Sequence, residues 1–465
     1  MELKEKCAVF GVYGKGLDAA RITYFGLFAL QHRGQESTGI VASDGKKLRV
    51  NKAMGLVPQV HKEKNIKKLP GYLAIGHNRY STSYGSSVKH CQPVTGQDNL
   101  LALAHNGNLP SVEKSKSFLI SVGVKVNGLN DSELMYEVVY YYLKKGLKLE
   151  EAVEKSFPLF TGVFCLVLIT PKKIAAVRDR FGVRPLSIGK LNGGYVISSE
   201  TCGLESVGAK FLRDVKPGEM VVVDNKGLSS YQLVKGETKL DIFEFIYFAR
   251  LNSMLLGKSV YQVRKNFGKQ LAIEHQLDAD IVVPIPESAI PVALGYAESS
   301  KIPFEYGLSK NRYIGRTFIM PEQHLRDKFV ELKLSPIPGV LKGKKVVLVD
   351  DSIVRGTTIR KIVKLVKEAG ASEVHVIVSC PPLKYPDFYG IDTPKQEELI
   401  GAKMSVPQIK SFIGADSLYY LSYEGMIKAT SLPEDYFCTS CFTGKYPVDI
   451  QERAKDIFEP IFTAP

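Results

Sequence analysis

Short apolar segments that end in glycine-rich turns dominate the first half of the chain. Their β-branched and aromatic content predicts strands, whose approximate ranges are 7–12, 71–77, 100–104, 162–168, 195–199 and 219–224. Apolar residues at helical spacing predict a helix over 132–145. Strands with intervening helices are typical of a layered α+β domain.

The second half of the chain has a different pattern, built on near-continuous runs of Val and Ile. These runs cover 281–286, 345–350 and 374–379, and a helix is predicted over 357–368, where Gly370 stops it. A strand–loop–helix–strand order with continuous apolar strands predicts an α/β domain with a buried parallel sheet. The polar stretch within 234–241 separates the two patterns, so we expect the domain boundary there.

Composition is that of a globular protein with several domains: 465 residues, 45% hydrophobic and 24% charged. It excludes a disordered tail, a fibre and a small disulfide scaffold. The formal charge of +14 favours anionic partners, namely nucleic acid, phosphorylated metabolites or an anionic membrane surface.

Seven cysteines, an odd number, imply no disulfide framework. The charged start does not resemble a signal peptide, and no apolar run is long enough to span a bilayer, so we expect a cytoplasmic protein.

The most informative stretch, 346–358, is a hydrophobic strand that ends in two acids and is followed by a turn and a helix. Asp350 and Asp351 stand at the carboxyl end of the strand, where ligands of open α/β sheets bind. Gly356, Thr357 and Thr358 lead into the helix, whose first N–H groups suit a phosphate. The acids are too close to act as an acid/base pair across a bond, and they suit a ribose diol or a Mg²⁺ shell. The plainer interpretation is a turn with a helix cap.

This stretch resembles the phosphoribosyl pyrophosphate (PRPP) loop of type I phosphoribosyltransferases. The resemblance implies that the acids contact the ribose hydroxyls and that the Gly-Thr-Thr turn holds the 5′-phosphate, with the pyrophosphate near 286–288. It also implies a Mg²⁺ ion near Ser288, Asp350 and Asp351. The implied PRPP-binding positions are Asp350, Asp351, Ser352, Val354, Arg355, Gly356, Thr357 and Thr358.

Three cations, Lys310, Arg312 and Arg316, surround Gly315 between these two segments. Such a loop suits a mobile lid that closes over a polyanion and excludes water. The alternative is a solvated basic loop. Beside a PRPP loop we expect the lid, and we include the three cations among the PRPP-binding residues.

Cys7 stands at the start of the first predicted strand. A thiol needs a base or a lowered pKa to act as a nucleophile. Removal of residues 1–6 would give Cys7 a free α-amine, which titrates close to neutrality and could be that base. The plainer interpretation is a buried small hydrophobe. Polar blocks follow at 31–40, 76–82, 104–109 and 131–133.

Together these blocks resemble the class II, N-terminal-nucleophile glutamine amidotransferase domain, an αββα sandwich, over about residues 7–235. The resemblance implies that Cys7 attacks the glutamine carboxamide and forms a γ-glutamyl thioester. It implies an oxyanion hole formed by the side chain of Asn106 and the N–H of Gly107. The implied glutamine contacts are Arg79, Asp131 and His105.

An amidotransferase domain joined to a phosphoribosyltransferase domain resembles the amidophosphoribosyltransferase family. We therefore expect a propeptide at 1–6, the amidotransferase at 7–235, the phosphoribosyltransferase at 236–430 and a C-terminal tail at 431–465. The implied reaction converts glutamine, PRPP and water into 5-phosphoribosylamine, glutamate and pyrophosphate at the start of purine synthesis, with ammonia channelled between the sites. Feedback inhibition by purine nucleotides and a homotetramer are further family expectations. No nucleic-acid or membrane partner is expected.

Some members of this family hold a 4Fe–4S cluster with four cysteines. Cys438 and Cys441 match two of the ligand positions, and Asp241 and Asp387 stand at the other two. Oxygen donors are poor substitutes for thiolates at iron, so we expect the cluster to be absent. A site of two Cys and two Asp is the alternative.

Three rival functions fit parts of the sequence. A PRPP-sensing nucleic-acid regulator fits the charge, but the chain has no nucleic-acid-binding motif, and a regulator needs no glutaminase site. An amidotransferase for a different acceptor conflicts with the PRPP loop. An inactive paralogue conflicts with the filled catalytic positions.

Overall fold

The structure, a computed structural model, describes residues 7–80, 88–311, 334–389 and 395–450. The propeptide predicted at 1–6 and the lid cations Arg312 and Arg316 lie outside these ranges. Within them, no helix is long and apolar enough to cross a membrane.

The first half forms two antiparallel sheets and the helices that cover them. Its strands are β1 (Ala8–Gly14), β2 (Ser37–Ser43), β3 (Leu48–Met54), β4 (Leu73–Arg79), β5 (Val94–Thr95), β6 (Ala102–Ser111), β7 (Thr161–Ile169), β8 (Ile174–Arg178), β9 (Ser187–Leu191), β10 (Gly194–Ser198), β11 (Lys210–Asp214), β12 (Glu219–Asp224) and β13 (Gly227–Gln232). Its helices are α1 (Ala19–Ala29), α2 (Val57–Val60), α3 (Glu63–Ile66), α4 (Glu113–Ser121), α5 (Asp131–Lys144), α6 (Leu149–Ser156) and α7 (Thr201–Glu205).

These two sheets face each other across an apolar layer. Their strand orders are β11-β9-β10-β1-β4-β2-β3 and β13-β12-β8-β7-β6-β5. Val9, Ile75, Val167 and Ile197 lie in the layer between them and are almost fully buried. Helix α1 packs on the outer face of the first sheet, and α5 packs on the second. The αββα sandwich predicted for the first half is confirmed.

One strand, β6, is longer than the hydrophobic pattern predicts. The predicted strand ends at 104, but β6 continues past Asn106 and Gly107, which lie opposite Cys165 and Phe164 of β7. The polar residues stay in the ladder because inter-strand backbone hydrogen bonds hold them, whatever their side chains. Asn106 is therefore carried by a buried strand and not by a loop after it.

The second half is built on a parallel sheet. Its strands are β14 (Leu240–Asp241), β15 (Met254–Leu255), β16 (Lys258–Ser259), β17 (Ile281–Pro284), β18 (Leu308–Lys310), β19 (Leu334–Pro336), β20 (Lys345–Asp350), β21 (Glu373–Val378), β22 (Ser417–Tyr420) and β23 (Phe437–Cys438). Its helices are α8 (Val260–Glu274), α9 (Ile290–Ser300), α10 (Pro338–Leu341), α11 (Thr357–Glu368), α12 (Ile400–Lys403), α13 (Val406–Ile413), α14 (Tyr423–Thr430) and α15 (Ser440–Thr443), with a π-helix at Glu244–Phe248.

The order of the parallel sheet is β17-β20-β21-β22. The run from Val346 to Val349 on β20 exposes no surface, as expected for a strand covered on both faces. The parallel sheet predicted for the second half is confirmed.

The C-terminal tail returns to the junction of the two halves. Strand β14 pairs in parallel with β23, so Asp241 lies opposite Cys438. Nearby, Phe388 of the second half packs with Val163 and Val183 of the first. The domain boundaries at 235 and 430 remain predictions.

The close approach of α8 and α9 offers a test of this packing. A Cβ on Gly268 would lie 1.8 Å from the carbonyl oxygen of Val292. We expect Gly268→Ala to destabilise the second half by roughly 1–3 kcal/mol through overpacking, although the same change in an open helix interior stabilises by about 1 kcal/mol. Gly339→Ala in α10 is the control, because a Cβ there meets no atom of the described residues within 4 Å. Urea denaturation followed by circular dichroism measures both, and an unchanged midpoint for Gly268→Ala would contradict the prediction.

Candidate active site

Cys7 lies immediately before β1 and is partly buried. Its Sγ is 3.8 Å from the carbonyl oxygen of Tyr80, to which the thiol donates. Burial raises the pKa of the thiol and Asp131 and Glu36 add to that effect, while the bond to Tyr80 and the charge of Arg79 oppose it. The thiol therefore stays protonated at neutral pH until a base takes its proton.

A histidine bridge joins the sheet that begins at Cys7 to the strand that carries Asn106. His77 on β4 lies opposite Val9, and its Nε2 donates to the carbonyl oxygen of His105 at 2.9 Å. Burial lowers the pKa of His77 to about 3, so the ring remains neutral. This hydrogen bond joins β6, next to Asn106, to β4, which neighbours the strand that follows Cys7.

Asn106 and Gly107 are adjacent residues in the buried part of β6. The side chain of Asn106 exposes no surface, and within the described residues neither its Oδ1 nor its Nδ2 has a hydrogen-bond partner. Buried amides are rarely left unpaired unless something else completes them. Gly107 has φ +149°, and a Cβ there would lie 2.0 Å from the carbonyl oxygen of Val163, so only glycine fits. The unpaired Nδ2 of Asn106 suits a ligand that accepts hydrogen bonds.

Arg79, predicted to bind the substrate carboxylate, lies at the end of β4 and is largely buried. Its Nη1 is 3.1 Å from Oε1 of Glu36. No role for Glu36 could be predicted, because the polar run 31–40 holds several candidates and nothing in it indicates a partner in a distant strand. The ion pair fixes a guanidinium close enough to Cys7 to lower the pKa of its thiol.

Asp131 and His105, also predicted to bind glutamine, form one hydrogen-bonded group at the start of α5. The carboxylate of Asp131 accepts the backbone N–H groups of Ser132 at 2.8 Å and Leu109 at 3.3 Å. Nδ1 of His105 is 3.0 Å from Oγ of Ser132 and 3.8 Å from Oδ2 of Asp131. His105 is almost fully buried, and its Nε2 has no hydrogen-bond partner within the described residues, so its contact with glutamine stays a prediction.

The strand that ends in two acids has the geometry expected for a sugar phosphate site. Strand β20 ends at Asp350, which is partly exposed, and Asp351 follows it. Gly356 precedes α11 with φ +74°, and a Cβ there would lie 2.7 Å from Ile400. A left-handed and crowded position accepts only glycine. The first turn of α11 has backbone N–H groups with no intrahelical partner, which suit a phosphate.

Ser288 lies beside the acid pair although the sequence separates them widely. Its Oγ donates to Oδ2 of Asp351, and Oγ of Ser352 donates to Oδ1 at 2.6 Å. Over the described ranges, no cluster of three or more His, Cys, Asp or Glu side chains could hold a metal ion. Mg²⁺ needs only one or two carboxylates when phosphates and waters complete its shell. The oxygens of Ser288, Asp350 and Asp351 therefore fit Mg²⁺ in the presence of a phosphorylated ligand.

A segment after residue 395 supports the acid loop. The N–H of Ile400 donates to the carbonyl oxygen of Val354 at 2.9 Å, and Arg355 forms an ion pair with Glu398. Val354 and Arg355 were both predicted to bind PRPP, and the structure shows that the backbone of one and the side chain of the other are held by this segment.

Two cations lie near the acid loop. Lys310, a predicted site residue at the end of β18, has its Nζ 3.6 Å from Oε2 of Glu287. Arg264 on α8, which no motif indicated, is buried and donates from Nε to the carbonyl oxygen of Phe245 at 2.7 Å. Burial lowers the pKa of Arg264 to about 10, against the charge of Asp351. A buried positive charge thus faces the acids from the side of α8.

A buried ionic network joins the two halves. Arg33 of the first half contacts Glu200 at 2.5 Å and Glu244 at 2.7 Å. Arg184, also of the first half, contacts Glu244 at 3.1 Å and Asp241 at 2.9 Å. All five side chains are almost fully buried, so each charge depends on the others for compensation.

The four positions considered for an iron–sulfur cluster come together, but their chemistry does not suit one. Asp241 lies opposite Cys438, and its carboxylate pairs with Arg184. Burial, together with Asp241 and Asp387, raises the pKa of Cys438 to about 12 and also raises the pKa of Cys441. A 4Fe–4S cluster takes four thiolate ligands, and two of these four positions carry a carboxyl group instead of a thiol. The residues present do not fit the cluster.

Comparison with known proteins gives two matching family profiles. One, described as a phosphoribosyl transferase domain, matches residues 260–408, and the other, a glutamine amidotransferase domain, matches residues 77–206. Together they cover parts of both halves described above.

Whole-length relatives agree with these profiles. The chain is 44% identical to an amidophosphoribosyltransferase of Bacillus subtilis over 459 residues, which is 97% of this chain and 96% of the relative. It is 42% identical to one of Methanocaldococcus jannaschii, over 96% of this chain and 98% of the relative. A solved structure of glutamine PRPP amidotransferase from B. subtilis, complexed with ADP and GMP, superposes with a TM-score of 0.88 at 44% identity, covering 96% of this chain and 98% of that chain.

Proposed function

The chain belongs to the amidophosphoribosyltransferase family, and from this premise we propose that it converts glutamine, PRPP and water into 5-phosphoribosylamine, glutamate and pyrophosphate, the first step of purine biosynthesis. Such an enzyme is a glutamine-dependent glycosyltransferase. The observation that carries the proposal is the presence of two different sites in one chain. One is a thiol in the same half as a buried amide that has no hydrogen-bond partner in the described part of the chain, and the other is a parallel strand that ends in two acids.

In the amidotransferase half, Cys7 attacks the side-chain carboxamide of glutamine. Removal of residues 1–6 frees its α-amine, which takes the thiol proton and passes it to the departing ammonia. The Sγ–C bond that forms is a γ-glutamyl thioester, and water then cleaves it to glutamate. Nδ2 of Asn106 and the N–H of Gly107 donate to the oxyanion, a role that suits an amide buried without a protein partner.

The charges around Cys7 complement a free amino acid. Arg79 pairs with the α-carboxylate of glutamine and Asp131 with its α-ammonium group. Glu36 holds Arg79. His105, whose Nδ1 is 3.8 Å from Asp131, is proposed as a third contact with glutamine. Two fixed charges of opposite sign orient the substrate with its carboxamide towards the thiol.

In the phosphoribosyltransferase half, Asp350 and Asp351 accept hydrogen bonds from the ribose hydroxyls. The first N–H groups of α11, with Thr357 and Thr358, donate to the 5′-phosphate. Ammonia attacks C1 of the ribose while the bond from C1 to the pyrophosphate oxygen breaks, and nearby cations stabilise the charge of the leaving group. The remaining residues proposed to bind PRPP are Ser352, Val354, Arg355, Gly356, Lys310, Arg312 and Arg316.

Oxygen donors at the same sheet edge are proposed to hold Mg²⁺ when PRPP is bound. They are Ser288, Asp350 and Asp351. Ser288 donates to the carboxylate of Asp351, whose backbone N–H donates to the carboxylate of Asp350. The bound ion supplies charge neutralisation for the pyrophosphate.

Family membership motivates four further parts of the proposal. They are a cytoplasmic location, a homotetramer, autocatalytic removal of residues 1–6 and feedback inhibition by purine nucleotides. The solved B. subtilis relative was complexed with ADP and GMP. For this reason purine nucleotides are proposed as the feedback inhibitors.

Cys7→Ala tests whether glutamine hydrolysis and the use of ammonia take place at two separate sites. We expect it to abolish 5-phosphoribosylamine formation from glutamine and to leave formation from ammonia and PRPP close to the wild-type rate, because the second site is untouched. Cys202→Ala, which removes a buried thiol from α7, is the matched control and should retain both activities. Loss of both activities in a folded Cys7→Ala protein would contradict the assignment. An intact wild-type mass that still includes residues 1–6 in active enzyme would reject the α-amine as the base.

Asn106→Ala tests the oxyanion hole. Because the oxyanion exists only in the transition state, we expect kcat for glutamine hydrolysis to fall about 10²–10³-fold with little change in KM. Steady-state glutamate release measures both constants. A raised KM at unchanged kcat would instead place Asn106 in ground-state binding of glutamine.

We also propose that the enzyme works without an iron–sulfur cluster, since two of the four positions are carboxylates and one of these pairs with Arg184. Protein purified without oxygen should contain far less than one iron per chain and show no visible absorption band. Iron and acid-labile sulfide analysis tests this. About four irons per chain with matching sulfide would mean that a cluster forms despite the two Asp residues.

A further inference from the structure

A buried hydroxyl group on β2 has no role in the chemistry described above. Ser37, the first residue of β2, is 1% exposed, and within the described residues its Oγ has no hydrogen-bond partner. Buried hydroxyls of folded proteins are nearly always paired, because an unpaired one has lost its water without a replacement. The position of Ser37 in the sheet indicates which group could accept its hydrogen bond.

Ser37 lies next to the arginine proposed to bind the α-carboxylate of glutamine. In the β2–β4 pair it stands directly opposite Arg79. Residues directly opposite each other in antiparallel strands share a face of the sheet, with Cβ atoms about 5 Å apart. On the other side of β4, Ala8 lies opposite Asn78, so Cys7 comes next to Arg79 in the same row. Ser37, Arg79 and Cys7 therefore share one face at the same end of the sheet.

This face of the sheet faces the layer between the two sheets. Two positions along the strands from this row, Val9 lies opposite His77, which bonds to the backbone of His105 in the second sheet. Alternate residues of a strand share a face, so the three residues of the row face the same layer. Asn106 faces it from β6, because it alternates with Ala104, which is buried between the sheets. The Ser37 hydroxyl thus belongs to the layer that holds the thiol and the oxyanion amide.

The guanidinium of Arg79 is held at the start of β2. Its Nη1 is 3.1 Å from Oε1 of Glu36, the residue before Ser37. The backbone is fixed there as well, because the N–H of Glu36 donates to the carbonyl oxygen of Arg79 at 3.1 Å. The N–H of Gly55 donates in turn to the carbonyl oxygen of Glu36 at 2.8 Å. A carboxylate that pairs with this guanidinium therefore lies at the end of β2 that carries the Ser37 hydroxyl.

A carboxylate has more acceptor positions than the Arg79 guanidinium fills. Its two oxygens accept about four hydrogen bonds in total, and Arg79 shares its donors with Glu36. A serine hydroxyl is a compact donor, and hydrogen bonds to a charged group are stronger than those between neutral groups. The α-carboxylate of glutamine is thus the acceptor that suits the Ser37 hydroxyl.

We propose that Ser37 is a further glutamine-binding residue, whose hydroxyl donates to the α-carboxylate beside the guanidinium of Arg79. The inference rests on the proposed function and adds one contact to the binding of its first substrate. Ser37 takes no part in the attack of Cys7 or in stabilisation of the oxyanion. The contact is the same in the bound substrate and in the transition state, so its loss weakens binding and leaves the chemical step unchanged.

Ser37→Ala in the full-length enzyme removes the hydroxyl. Ser43→Ala is the matched control, since Ser43 is buried on the same face of the same strand and its Oγ donates to the carbonyl oxygen of Pro171 at 2.8 Å. For each variant, kcat and KM for glutamine are measured from 5-phosphoribosylamine formation at saturating PRPP. The inhibition constant of L-glutamate, which keeps the α-carboxylate and lacks the carboxamide, is measured in the same assay. Urea denaturation compares the stability of the two variants.

We expect the KM for glutamine to rise roughly tenfold in Ser37→Ala at unchanged kcat, as for one lost hydrogen bond to a charged group. The inhibition constant of L-glutamate should rise by the same factor, and the urea midpoint should not fall. In Ser43→Ala both constants should stay at wild-type values, whereas the urea midpoint should fall because a paired hydroxyl is lost. If Ser37→Ala does not fold, Ser37→Cys, which carries a much weaker donor, is measured in the same way.

An unchanged KM in folded Ser37→Ala would overturn the inference, because the hydroxyl would then have no contact with glutamine. A raised KM with an unchanged inhibition constant for L-glutamate would overturn it too, since the contact would then be with the carboxamide. A lowered kcat at unchanged KM would also contradict it and would assign Ser37 to the chemical step. The proposed function fails by a different result: wild-type enzyme that makes no 5-phosphoribosylamine from glutamine and PRPP.

Discussion

Glu244 lies between two buried arginines of the other half of the chain, and this arrangement determines how the halves meet. Arg33 contacts it at 2.7 Å and Arg184 at 3.1 Å, with all three side chains almost completely buried. Loss of one partner would leave an uncompensated buried charge, at a typical cost of about 3–5 kcal/mol. The two halves therefore have one strongly preferred arrangement. The bond from Asn108 to Phe388 depends on that arrangement.

The same network explains the chemistry at the C-terminal tail. Arg184 also pairs with Asp241, which lies opposite Cys438 in the β14–β23 pair. At one of the positions considered for a metal cluster, this chain has a contact between Asp241 and Arg184 that ties the start of the second half to the first. Cys438 and Cys441 then remain protonated beside carboxylates, because burial and negative charge both disfavour thiolates.

Much of the fold and of the PRPP loop could be predicted from the sequence because the signals are local. The predicted strand 345–350 and helix 357–368 have the bounds that the structure shows, since a continuous apolar run and a glycine before a helix are properties of neighbouring residues. The prediction for strand β6 is too short, because its end carries the polar residues Asn106 and Asn108. Hydrophobic periodicity gives no information on the backbone hydrogen bonds that keep polar residues in a strand. The choice of a glutamine site and a PRPP site came from ordered motifs rather than from periodicity.

The sequence by itself thus determined the two domain types, the order of their elements and which residues could carry the chemistry. Only the tertiary structure decided which of those residues meet. In it, Glu36 forms an ion pair with Arg79, Ser288 forms a hydrogen bond with Asp351, and Asn108 forms one with the carbonyl oxygen of Phe388 in the other half. These contacts join residues far apart in the chain, and nothing in either partner's neighbourhood specifies the other. They follow from how the sheets pack and from the need to compensate every buried charge and amide, conditions that exist only once the chain has folded.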